Sequence, residues 1–306
     1  MAGALQQMES QEGKAGLFSG LAAYTIWGLF PIYVVATKHV SALELLSHRV
    51  LWSVPFGFLI LVFRKQIAET LKAITNVKTV ALLALAASAL ALNWWVYIWA
   101  IQQEQIFQGS LGYYITPLLY VVLGVIVFKE KLSRLQGLAI LFAFIGVSIL
   151  TIKGGVFPAI SLILAASFGL YGMLRKVIVI GAMPGLFIET IILFPVAAGL
   201  IWWLSKQGQI AWGQHGLETD ILLAFAGPLT VLPLLAFAFA ARRIKLSTLG
   251  ILQFVGPTLQ FACGLYYGES FTLAHAFCFG FIWLGVSVFA FDALKGQTHQ
   301  DRAASR

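Results

Sequence analysis

Long apolar stretches alternate with short polar ones along the chain, and the polar ones hold nearly all the charge. Eight long stretches contain no Asp, Glu, Lys or Arg: 17–37, 79–103, 105–128, 135–152, 154–174, 221–241, 246–268 and 270–291. Two more, 42–63 and 182–205, match them in length and hydrophobicity but carry Arg49 and Glu189. A hydrocarbon core of about 30 Å needs about 20 apolar residues per helix, so the pattern predicts ten transmembrane helices. Runs such as 82–85 and 138–145 are apolar on every face, without the two-residue alternation of a membrane β-barrel. The predicted fold class is an all-α integral membrane protein. The first run exceeds the 7–15 residues of a cleavable signal core and reads as the first membrane helix. No connection is longer than about fifteen residues, too short for an added soluble domain, and the polar stretch 295–306 is predicted to be a disordered cytoplasmic tail.

Composition excludes a soluble globule. The 306 residues are 60% hydrophobic and 10% charged, with mean hydropathy +0.89, against roughly 45–50% and about 25% in soluble domains. The net charge of +8 follows topology. Alternate connections hold Lys14; Arg64, Lys65, Lys72 and Lys78; Lys129, Lys131 and Arg134; Arg175 and Lys176; Arg242, Arg243 and Lys245; then Lys295, Arg302 and Arg306. The opposite set holds only Lys38, Lys153 and Lys206. Because cytoplasmic loops retain Lys and Arg, both termini are expected in the cytoplasm. The basic residues form no stripe, so a nucleic-acid partner is not expected; the bilayer and a small-molecule substrate are, and a homodimer is compatible with the pattern. Cys263 and Cys278 both sit in apolar runs, which leaves neither a disulfide framework nor a metal or redox motif. No cofactor is implied.

The chain also repeats itself. Pro117 and Gly124 match Pro257 and Gly264 at an offset of 140, and Pro55 matches Pro195. Glu130 and Gly146-Val147-Ser148 match Glu269 and Gly285-Val286-Ser287 at 139, and Ser110-Leu111-Gly112 matches Thr248-Leu249-Gly250 at 138. Residues 1–152 and 153–294 thus read as two five-helix repeats. An odd number of helices inverts the second copy, placing a pseudo-two-fold axis in the membrane plane and a midplane site between the halves.

Several stretches resemble the EamA-type branch of the ten-helix drug/metabolite transporter superfamily, most closely its RarD group. They include Ala23-Tyr24 to Ile26-Trp27-Gly28 with Pro31, Ser47-His48-Arg49-Val50 to Trp52-Ser53, and Ser110-Leu111-Gly112-Tyr113-Tyr114 to Pro117. In the second half, Arg175-Lys176, Ile188-Glu189-Thr190, Gly256-Pro257-Thr258 and Tyr267-Gly268-Glu269 continue the likeness. The resemblance implies a bacterial inner-membrane permease among relatives that export amino acids and other metabolites. A channel or a non-transporting membrane enzyme is the alternative, yet no HExxH, GxSxG or GxxxxGK[ST] motif is present to carry enzyme or pump chemistry.

Candidate site residues follow from the price of polarity in lipid. A charge at a helix centre costs about 2.5–3.5 kcal/mol or more, so Arg49 faces a partner or a wet cavity, either clamping an anionic substrate group or pairing structurally with helix-end carbonyls or Glu44. Glu189, which follows Arg49 at the same offset as Pro195 follows Pro55, is its repeat counterpart, a carboxylate for a proton or a substrate amine, or else a buried acceptor. His48 lies about 100° round the helix from Arg49 and is a candidate proton relay. Tyr113, Pro117 and Tyr120 share a helix face, as do Gln253, Pro257 and Gln260; the two prolines are candidate gating kinks, with packing as the alternative. Tyr24 and Trp27 share a face on the first helix, and Asn93 and Tyr97 on the third. Trp94, Trp95, Trp99, Trp202, Trp203 and Trp212 read as belt or packing residues.

Overall fold

The computed structural model describes residues 2–129, 131–155, 157–241, 243–244, 248–249 and 252–304, with side chains set aside at 2–12, 128 and 293–304. Its helices are α1 (Ala2–Gly28), α2 (Phe30–Ala36), α3 (Ala42–Phe63), α4 (Ile67–Ile74), α5 (Val77–Gln102), α6 (Ile106–Phe128), α7 (Arg134–Gly154), α8 (Ala159–Val177), α9 (Ala182–Lys206), α10 (Leu217–Ala240), α11 (Val255–Tyr266) and α12 (Leu273–Ala304). No strand occurs among the described residues. Nine helical stretches there are long and apolar enough to cross a membrane. In the tenth expected span, 246–268, the described residues include the 12-residue α11, with 248–249 and 252 also helical. Glu130 and Gly250 of the landmarks above, and Arg242, Lys245 and Arg306 of the basic residues, lie outside the described residues.

Two helix bounds differ from those of the apolar runs. Run 17–37 is broken at Leu29, because Pro31 has no N–H and its ring crowds the carbonyl four residues back. That carbonyl, of Trp27, instead accepts from Gln260 Nε2 at 3.3 Å. At the other end α12 runs to Ala304, so 295–304 are helical; each further helical residue adds a backbone bond once the turn before it exists, and the polar composition there does not interrupt it.

One compact unit comprises 1–29, 104–166 and 239–306. Within it α12 packs along α7, and α11 against α6 and α1, around Phe107, Leu111, Tyr114, Phe261 and Phe279. Small residues bring backbones together. A Cβ at Gly146 would stand 2.8 Å from the Cys278 carbonyl oxygen, and one at Gly285 would stand 2.8 Å from that of Ala139. Glu269 caps α6, accepting from the Phe107 N–H at 2.8 Å.

The second unit comprises 30–103 and 167–238. Here α3 packs along α9, α9 also contacts α5 and α4, and α5 contacts α2 and α3. Helix ends in this unit are tied down by polar caps: Ser41 Oγ accepts from Glu44 N–H at 3.2 Å, Asn76 Oδ1 from Thr79 N–H at 3.0 Å, and Glu69 Oε1 from Gly181 N–H at 2.8 Å, just before α9.

Candidate functional site

The second unit gathers Arg49, His48, Asn93, Tyr97 and Glu189. Arg49 on α3 is 6% exposed. Its Nε donates to Thr230 Oγ1 on α10 at 2.7 Å, and the Thr230 hydroxyl donates to Ala226 O at 2.9 Å. The guanidinium carbon stands 4.0 Å from the centre of a Trp94 ring and 4.8 Å from that of Phe30. Each desolvated cation–π contact is worth about 2 kcal/mol, comparable with the cost of the charge in lipid. Trp94, read from sequence as belt or packing, is therefore part of the arginine's housing. On the same helix Asn93, fully buried, donates through Nδ2 to Ser167 Oγ at 3.0 Å, and the Tyr97 ring lies 6.2 Å from Phe30.

Glu189 on α9 is 1% exposed. Arg175 Nη1 donates to its Oε1 at 3.4 Å and Tyr171 OH to its Oε2 at 3.3 Å. Both partners sit on the last turns of α8. Arg175, counted from sequence as loop charge, is thus turned back onto the carboxylate. These distances exceed the 2.7–3.2 Å of well-made bonds and the 2.7–2.9 Å of charge-assisted ones.

Another buried acid of this unit is held differently. Glu44, in the first turn of α3 and fully buried, accepts from Ala211 N–H at 2.8 and 3.0 Å and from Trp212 N–H at 3.0 Å. His48, one turn on, stacks on the Trp212 ring with centroids 5.0 Å apart, its Nε2 3.8 Å from Glu44 Oε1. His48 is thus grouped with Glu44 and Trp212. Two acids in one unit differ in kind: Glu44 satisfies backbone amides at short range, whereas Glu189 is held loosely by side chains that can rotate away.

The remaining candidates lie in the first unit. The Tyr24 and Trp27 rings meet edge to face at 5.5 Å. Tyr113 and Gln253 are half-buried. Pro117 is interior to α6, where it breaks the backbone ladder. Pro257 is the third residue of α11, a first-turn position whose N–H would be unpaired anyway. Residue 252 is helical and is separated from α11 by turn residues 253–254, whereas Pro117 lies within one continuous helix. Sequence reasoning missed Tyr114 and Ser110, which bind Thr258 Oγ1 at 2.6 Å and donate to Pro257 O at 2.8 Å. It also missed Thr230, Tyr171 and the role of Arg175. Only the closeness of Trp94 to Asn93 and Tyr97 offered a signal.

The EamA-like transporter family model matches residues 14–152. An uncharacterized transporter of Vibrio cholerae is 41% identical over 288 residues, 94% of this chain and 95% of that protein. The protein RarD of Escherichia coli is 38% identical over 291 residues, 95% of this chain and 98% of its own length. A solved crystal structure with 14% sequence identity aligns over 92% of this chain and 98% of that one with a TM-score of 0.59, a likeness of fold.

Proposed function

This chain belongs to the EamA-like transporter family, in its RarD group, and from that premise we propose that it is a secondary carrier exporting small metabolites by alternating access. Its setting in this reading is the bacterial inner membrane, with both termini in the cytoplasm. The observation that carries the proposal is a pair of buried, opposite charges in one helical unit. Arg49 and Glu189 are each the eighth residue of their helices. The planar guanidinium of Arg49, stacked on Trp94 and Phe30, suits a carboxylate, which it binds two-pronged. The loosely bonded Glu189 suits an ammonium group or a proton. A small zwitterion such as an amino acid or a related metabolite is the substrate class that fits both.

Inverted repeats are supported by reciprocity of contacts. Two-fold relation requires that if a residue meets the counterpart of a second, the second meets the counterpart of the first. Gly146 meets Cys278, and Gly285 meets Ala139. The offset that pairs Gly146 with Gly285 also pairs Ala139 with Cys278. The rings of Phe142 and Phe281, paired by that same offset, meet each other with centroids 6.2 Å apart, as residues on an axis do. Helices α3 and α9 start at the spacing that separates Pro55 from Pro195, as do α5 and α10.

The test has two stages. Metabolite profiles of a deletion strain against an overexpressing strain name candidate substrates, and counterflow of those candidates is then measured with purified protein in liposomes. Saturable, trans-stimulated exchange is expected. Flux that rises linearly with concentration and shows no trans-stimulation identifies a channel and overturns the reading.

A further inference from the structure

Arg175 does more than pair with Glu189; it occupies a notch cut for it. A Cβ at Gly185 would collide with Arg175 Nη1 and lie 2.7 Å from its Cζ. Gly185 stands one turn before Glu189 on α9, so the guanidinium lies against bare backbone within reach of the carboxylate. Its other amino group points to the carbonyls of Gly181 and Ala182, each at 3.4 Å. Each of these bonds is long. The side chain is 17% exposed, against 1% for Glu189, so the latch has a way out and its catch does not. Among the described residues, Tyr171 and Arg175, both on α8, are the titratable groups bonded to the carboxylate.

We propose that Arg175, seated in the Gly185 notch, is a built-in counter-ion for Glu189 that must swing away before the carboxylate accepts a proton or a substrate ammonium. Arg175 and Gly185 are then positioning residues acting through Glu189. The long bonds make the guanidinium displaceable, and the missing Cβ gives it a defined seat to return to. The inference rests on reading Glu189 as the exchanging group.

Gly185→Ala tests it without changing any charge. Alanine favours the helix, so the fold is retained, while the methyl group evicts the guanidinium; Arg175→Gln removes it chemically. The readout is labelling of Glu189 by dicyclohexylcarbodiimide, a lipid-soluble reagent for protonated carboxyls, with the purified protein in liposomes at about pH 9, where the carboxyl is mostly ionised and a change in its protonation is read in full. The labelled peptide is quantified by mass spectrometry, with Glu189→Gln as the blank. A neighbouring guanidinium favours the ionised, unreactive carboxylate. Both variants should therefore label about tenfold faster than wild type, with Arg175→Lys between, because lysine keeps the charge without the flat fork. Acceleration below about threefold, or in only one of the two variants, overturns the proposal. Labelling needs no substrate. Failed counterflow in wild type would sink the carrier reading and leave these rates standing, whereas equal rates would sink the latch alone.

Discussion

Removing the Glu44 carboxylate should loosen the protein more than any other single change to a buried acid in its unit. Glu44 closes two backbone amides, Ala211 and Trp212, with bonds of 2.8–3.0 Å, and it is fully buried. Glu44→Ala leaves both N–H groups without an acceptor, at about 1–3 kcal/mol each, or about 4 kcal/mol together. Glu44→Gln keeps one acceptor oxygen but loses the charge and turns an amino group toward Ala211 N–H. A charged acceptor is worth about 1 kcal/mol more per bond than a neutral one, so about 2 kcal/mol is lost. At about 2 °C per kcal/mol for a chain of this size, melting in detergent, followed by size-exclusion chromatography after heating, should fall by about 8 °C for Ala and about 4 °C for Gln. Glu189→Gln is the internal control. Its bonds are long, and its neutral form suits a buried site, so it should melt within about 2 °C of wild type. A Glu44→Ala protein that melts with wild type, or a Glu189→Gln protein that loses as much, refutes the distinction between the two acids.

Arg49→Ala should insert normally and lose counterflow, since insertion is easier without a buried charge; Arg49→Lys should recover little, lacking the planar fork that stacks between Trp94 and Phe30. Near-normal exchange by the Ala variant would make Arg49 structural. Burial pushes the carboxyl of Glu269, in the connection between α11 and α12, up to about 7, with Glu104 adding to the rise and the Phe107 and Ile106 N–H groups opposing it. Because the folded value lies above the ordinary 4.5, this group favours the fold fully below the ordinary value, and that contribution is lost as pH rises through about 7. Melting measured across that window should fall more in wild type than in Glu269→Gln, and parallel curves would count against it. Alkaline phosphatase fused after Arg306 should be inactive in cells; strong activity would place the C-terminus outside.

Spans were legible because lipid allows so few ways to satisfy a backbone: charge-free length alone locates most of the helices. The break at Leu29 was less so, although Pro31 is visible in the sequence, because a proline bends or breaks a helix according to who takes the released carbonyl, and Gln260 is 233 residues from Trp27. The site was legible at Arg49 and Glu189, where an isolated charge in an apolar run stands out. Their partners were not. Arg175 sits among helix-end charges that look like topology signals, and only the Gly185 notch, a feature of packed backbones, turns it toward Glu189. Glu44 was visible only as a neighbour of Arg49, since the amides it closes lie 167 and 168 residues away.

The seam between α7 and α12 has a mechanical consequence. Where side chains interdigitate, helices can slide by rotamer changes; at Gly146 and Gly285 the nearest opposing atom is a carbonyl oxygen and the next a phenylalanine Cβ, neither of which moves when a side chain turns. Displacement along this seam would drive backbone into backbone at two places at once. The pair should therefore travel as one strut during any transport stroke, and a disulfide engineered across it should leave exchange running at its normal rate.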